Sequence, residues 1–225
     1  MNPVAKNNKD ARIHLHREII EIGAVKVNAD NKIVDRFKCY VKPQYNYRIT
    51  PFITQLTGIS SFDVCAACSF EDAIAAFESW IGYDAPAQIY SWSQSDLKQL
   101  QNECTYKQVD LPDNMNDWVD FQSLYADVMG FGDQNRQMSL HRAAEQFGIM
   151  MDDKTSHSAL YDAEITAELL IPVLSGEYKQ QAELLHNCVL QESDKCGYSI
   201  GDTCGGILQQ LLQQLNGKQD YVLAR

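Results

Sequence analysis

Three observations predict an α/β fold. Residues 18–41 read as two apolar strands joined by a polar turn. A second short apolar run, 87–91, stands between two amphipathic helical patterns. And 45% hydrophobic against 22% charged residues over 225 positions is enough to bury a sizeable core. One domain with a short appendage is the expected organisation.

Each element has a local cause. Residues 1–16 form a polar N-terminal segment. Glu18–Val27 is apolar with Gly23 inside it, the pattern of a largely buried strand. Asn28–Asn31 is a turn, and Ile33–Val41 returns with partial alternation, so the pair reads as a hairpin that Pro43 ends. Pro51 opens a short helical segment that runs to Gly58. Ser69, with Asp72 three residues on, caps a helix whose apolar positions are Ile74, Phe77, Trp80 and Ile81. Ala87–Ser91 is a short buried strand, and Leu97 and Leu100 begin a helix behind it. Trp118–Phe121 reads as a strand and Gln122–Met129 as a helix ended by Gly130. Ser139 caps a helix through Phe147 that Gly148 ends. Residues 176–225 read as a C-terminal helical extension, with patterns near 177–191 and 205–215. The apolar stripe of 205–215 suits either packing on the domain or a protein partner or self-association. There is no internal repeat and no phosphate-cradling glycine loop.

The chemistry concentrates at Ser156–Leu174, which reads as a helix with a wide apolar stripe through Ala159, Leu160, Ala163, Ile165, Leu169 and Leu170. His157 and Asp162 are five residues apart, about 140° of helical rotation, so they share a site only if His157 belongs to the entry and Asp162 to the helix proper. An imidazole on an entry turn and a carboxylate on a rigid element divide naturally into proton transfer and metal binding. The plain alternative is a surface histidine and a solvated aspartate. Asp96 follows the C-terminal end of the 87–91 strand, where sites form in open α/β sheets. Its plain alternative is a first-turn acid that favours the helix dipole.

Net charge is −11, but residues 1–50 hold ten Lys/Arg against five Asp/Glu, about +5, and leave about −16 for the remainder. Tight non-specific duplex binding is disfavoured, whereas a nucleic-acid substrate held by a few contacts is not. Seven scattered cysteines argue for reduced thiols. Cys65-Ala-Ala-Cys68 has the spacing of half a zinc site without a second such pair. The N-terminus is too polar for a signal peptide and no apolar run is long enough to span a bilayer, so a cytoplasmic location is expected.

Four segments in this order carry a resemblance: Glu18-Ile-Ile-Glu-Ile-Gly-Ala-Val, Leu56-Thr57-Gly58-Ile59, Ser91-Trp92…Asp96 and His157-Ser-Ala-Leu-Tyr-Asp162. Over residues 17–175 the chain resembles the DEDDh 3′–5′ exonucleases, the group of ribonuclease T and the polymerase III proofreading subunit, and most of all the histone-mRNA and RNA-interference branch. The resemblance implies a ribonuclease-H-like mixed sheet flanked by helices. It also implies phosphodiester hydrolysis at the 3′ end of RNA or single-stranded DNA, with four carboxylates holding two Mg²⁺ or Mn²⁺ ions. By position, Asp96 and Asp162 would be metal ligands and His157 the general base. Leu56, Thr57, Gly58, Ile59 and Trp92 would lie against the terminal nucleoside. The family's first motif, Asp-x-Glu on the central strand, has no counterpart in residues 1–17, so that strand is expected to be missing, two ligands with it, and activity impaired. Ala11–His16, with Ile13 and Leu15 alternating, is a candidate to extend the hairpin over the gap. The other readings are a fragment or an internal start, and an inactive nucleic-acid- or protein-binding module.

Overall fold

The computed structural model describes residues 1–83, 87–129, 138–151, 157–178 and 220–225. The chain enters through β1 (Asn2–Pro3) and α1 (Lys9–Leu15), and β2 (Arg17–Glu18) pairs back on β1. Residues 11–16 thus belong mostly to a helix and do not extend the hairpin. Ala11 and Leu15, one helical turn apart, bury together beside Val4, and Ile13 is left 67% exposed. Helical spacing wins over alternation because only the former gives these residues a shared buried face.

The hairpin is β3 (Glu21–Asn28) with β4 (Ile33–Tyr40), antiparallel with a register shift at Lys26/Val27. Asn28 fastens the turn, its Oδ1 accepting from the amides of Asp30 and Lys32. There follow α2 (Pro51–Thr57), α3 (Ser61–Cys65) and α4 (Phe70–Ile81), each with a Ser or Thr side chain accepting at its N-cap. Beyond them come β5 (Ala87–Ser91), α5 (Gln94–Lys107), β6 (Trp118–Asp120), α6 (Phe121–Val128), α7 (Leu140–Gln146) and α8 (Ala159–Ser175). Gly130, expected to end α6, lies outside the described residues.

The last strand, β7 (Asp220–Ala224), changes the architecture. It lies in the middle of a mixed five-stranded sheet of order β4-β3-β7-β5-β6, antiparallel to β3 and parallel to β5. The central position expected to be missing is therefore filled, and neither β3 nor β5 is left with an open edge. Val222 packs on the face that carries α4 and α5, and Leu223 on the face that carries α6, α7 and α8, as strand alternation requires. Both are fully buried. Residues 220–224 are thus part of the main sheet and not of a helical extension. The helical patterns at 177–191 and 205–215 fall, from residue 179 on, outside the described residues.

One buried ionic knot ties the entry of the sheet to α5. Glu18 accepts from the amides of Gln44, Tyr45 and Asn46 at 2.6, 2.9 and 3.0 Å, and Glu103 from the amide of Ile19 at 2.8 Å. Lys107 Nζ lies between the two carboxylates, 3.1 Å from Glu18 and 2.7 Å from Glu103. Cys68 meets Cys39 across β4, Sγ to Sγ 3.2 Å, and not Cys65, which is exposed. Burial first, then the neighbouring thiol, pushes Cys39 up to about 12. Among the described residues no helix is long and apolar enough to cross a membrane.

Candidate functional site

The C-terminal ends of the parallel strands β5 and β7 open towards the N-termini of α5 and α8. Gly23 on β3 sets the distance to α8: a Cβ there would stand 2.1 Å from the backbone N of Leu160 and 2.3 Å from the carbonyl carbon of Ala159. Only a residue without a side chain lets the start of α8 lie on the strand. Gly23 also exchanges both backbone hydrogen bonds with Arg225, at 3.0 and 2.8 Å, so one glycine joins the end of β7 to the entry of α8.

That entry holds the predicted pair. Ser158 is the N-cap of α8, and His157 sits in the turn before it at φ 80°, exposed. Asp162 is on the helix and 2% exposed. The division of imidazole to entry and carboxylate to helix is as the spacing required. Asp162 Oδ1 accepts from the backbone N–H of His157 at 3.4 Å, and Oδ2 accepts from the guanidinium of Arg225. Asp96 lies in the first turn of α5, which Ser93 caps. Burial raises the Asp96 carboxyl above its usual range, opposed by Arg225 and by the amino group of Met1, and the charge of Asp162 adds to the rise. Burial likewise raises Asp162, with Arg225 and His157 opposing it. Asp96, Asp162, His157 and Arg225 therefore form one electrostatic unit.

A cleft of about 900 Å³ opens on this unit, with Asp96, His157 and Arg225 in its wall. The opposite wall is α2 and the turn after it, from which Leu56, Thr57 and Ile59 face the cleft together with the 68%-exposed Phe52. Gly58 shapes the turn: it is the left-handed C-cap of α2 at φ 73° and is not in the cleft wall. Trp92 is not at the cleft either. It is 9% exposed, stacks edge-on against Phe121 and donates its indole N–H to the Met138 carbonyl at 3.1 Å. Strand alternation continued past Ser91 turns it into the core.

Glu21 was not foreseen. Its side chain accepts from the Ser158 hydroxyl and from the Ala159 amide, both at 3.1 Å, and Lys38 stands 3.4 Å away. It serves as the cap that α8 lacks from its own N-cap side chain, and so fixes the turn that carries His157. A glutamate at the start of a buried strand was the available signal.

The donor set can be weighed against the metals that the resemblance implies. The guanidinium of Arg225 pairs with Asp162 and acts on Asp96 as a nearby charge, so positive charge is favoured at this point. Among the described residues, however, no group of three or more metal-type ligands is assembled. The set offers two carboxylates to a divalent cation and falls short of the four that the two-ion arrangement uses.

Comparisons with known proteins agree on the family. An exonuclease family model, RNase T, matches residues 10–170. The chain is 30% identical over 166 residues to the probable 3′-5′ exonuclease KapD of Bacillus subtilis, covering 74% of this chain and 77% of KapD. It is 30% identical over 183 residues to ERI1 exoribonuclease 2 of Xenopus laevis, covering 72% of this chain and 26% of that protein. The chain thus spans about a quarter of the length of the ERI1 exoribonuclease 2 relatives. In fold it is similar to the nuclease domain of the DEDDh member 3′hExo bound to rAMP, with a TM-score of 0.66 at 22% identity over 78% of this chain and 88% of that one. It is similar also to a 3′-exonuclease recognising the histone mRNA stem-loop, with a TM-score of 0.67 at 21% identity over 78% and 79%. The mixed sheet, the carboxylates at the ends of its parallel strands and the family match together make this chain a member of the exonuclease family.

Proposed function

We propose that this chain is a 3′–5′ exonuclease acting on the end of a single strand held in the cleft between α2, α5 and α8. The observation that carries the proposal is that Asp96 and His157 stand in one cleft wall with Arg225, which pairs with the buried Asp162. The names of the relatives favour RNA over single-stranded DNA as substrate. Phe52 and Leu56 offer an apolar face to the terminal base, and Thr57, whose hydroxyl donates to the Ile53 carbonyl and accepts from the Ile59 amide, holds the turn beside it. His157, exposed and beside the acids, takes the proton of the attacking water as its oxygen bonds to phosphorus and the bond to the upstream 3′ oxygen breaks. Asp96 and Asp162 are the residues that would hold Mg²⁺ or Mn²⁺, which would stabilise charge on the phosphoryl oxygens. Because Arg225 holds Asp162, hydrolysis by this chain as folded is weak. A domain over 17–175, completed by 220–224, and a cytoplasmic location belong to the same proposal, the latter resting on the thiols that are free among the described residues.

The test is a 5′-labelled single-stranded RNA incubated with Mg²⁺ or Mn²⁺. The expected result is a slow ladder shortening from the 3′ end, abolished in Asp162→Asn and lowered at least about a hundredfold in His157→Ala. RNA bound but left whole would point to a 3′-end-binding module, the reading that the Arg225–Asp162 pair favours. RNA neither bound nor cut would end both.

A further inference from the structure

The N-terminal segment carries positive charge that the fold does not use. Lys6, Lys9, Arg12 and Arg17 are exposed, and among the described residues none of them makes an ion pair. The backbone beneath them is held firmly. Val4 N–H donates to the His16 carbonyl at 2.9 Å, Asn8 Nδ2 to the Tyr45 carbonyl at 2.6 Å, and Gln99 Nε2 to the Arg17 carbonyl at 2.9 Å. The Tyr106 hydroxyl donates to Asp10, the one acid of α1, at 3.0 Å. The segment is therefore a fixed platform with its cations facing water.

Its position gives those cations a use. His14, His16 and Arg17, at the end of the platform, line the same cleft as Asp96 and His157. The exposed His14 ring stacks on Tyr106 with centroids 6.0 Å apart, and Ile13 beside it is 67% exposed. Cations interleaved with flat and apolar side chains suit a strand whose phosphates and unstacked bases alternate. A duplex would need many more phosphate contacts than four cations can make. The chain as a whole is at −11, so the platform is a positive stretch on an acidic body, leading out of the cleft.

Building on the proposed function, we infer that residues 1–17 form the track for the 5′ body of the single strand whose 3′ end enters the cleft. The cleft holds the terminal nucleotide, and Arg17, Arg12, Lys9 and Lys6 receive successive upstream phosphates.

Fluorescence anisotropy with the whole chain tests this, with EDTA present to stop cleavage. The probes are a 5′-labelled uridine dinucleotide and an oligouridine of about twelve nucleotides. The wild type should bind the longer probe at least about tenfold more tightly. The Lys6→Gln/Lys9→Gln/Arg12→Gln variant should lose that advantage, keep its affinity for the dinucleotide, and show a salt dependence shallower by about 2 in log–log slope. Lys32→Gln/Lys42→Gln, which removes two exposed charges away from the cleft, should leave long-probe binding intact. The inference is overturned if the triple variant retains the wild-type long-probe affinity, if both probes weaken equally, or if the control pair weakens the long probe as much. A long probe that binds through the platform equally well with a 3′-phosphate as with a 3′-hydroxyl would uphold the track and sink the end-directed reading. No binding of either probe by the wild type would sink both.

Discussion

Two acid clusters lie two turns apart along one face of α5, at Asp96 and at Glu103, and they are built differently. At one, Glu18 and Glu103 accept from four backbone amides and share Lys107, so their oxygens are committed to the fold. At the other, Asp162 pairs with Arg225 and accepts one long hydrogen bond from the His157 amide, while Asp96 feels the same arginine as a nearby charge, and burial raises both carboxyls as it raises Glu103. Charge alone would not tell the clusters apart. The number of backbone donors does: a carboxylate saturated by the chain cannot exchange partners, and one left short of donors can accept a ligand.

The largest effect should come from breaking the saturated cluster. Lys107→Met strands two buried carboxylates and should lower stability by about 3–5 kcal/mol in urea unfolding. A loss below about 1 kcal/mol would mean that the amides alone suffice. Next, Gly23→Ala forces α8 off the sheet and should cost about 3 kcal/mol, because the atoms it meets are backbone.

Asp96→Asn should act in the opposite sense. A carboxyl raised above its ordinary 3.8 favours the folded state most when protonated, so its contribution is complete below that value and is lost as pH climbs through the raised one. The amide variant escapes that loss. It should be more stable than the wild type by about 1 kcal/mol at neutral pH, with the gap closing below about pH 4, while cleavage disappears. An unchanged midpoint across this range would make Asp96 an ordinary solvated acid.

The smallest effect belongs to Arg225→Gln, which should let Mn²⁺ raise the melting temperature more than it does for the wild type. At an ion concentration equal to Kd the linked stabilisation is only about 0.4 kcal/mol.

Much of this was legible in the sequence because it was local. The turn at Asn28, the caps at Ser69 and Ser139 and the split of His157 from Asp162 each follow from a few neighbouring residues. What was not legible depended on distant partners. Tyr221-Val-Leu-Ala is too short a run for periodicity to declare a strand, and its meaning comes only from β3 and β5 on either side. Trp92 stood next to a strand end, so its side could not be assigned until the direction of Ser91 was known. Glu21 showed itself as a cap only once α8 had been laid over Gly23.

The central strand also fixes the order of events during folding. Ala24 pairs with Ala224, two hundred residues later, so the sheet is sealed by the contact of greatest sequence separation that it contains. Closing a loop of that length is a slow step, and until it happens the hairpin and β5 each present an unpaired flank to other molecules. A chain in which β7 has not yet docked therefore exposes the two strand edges along which sheets of different molecules associate.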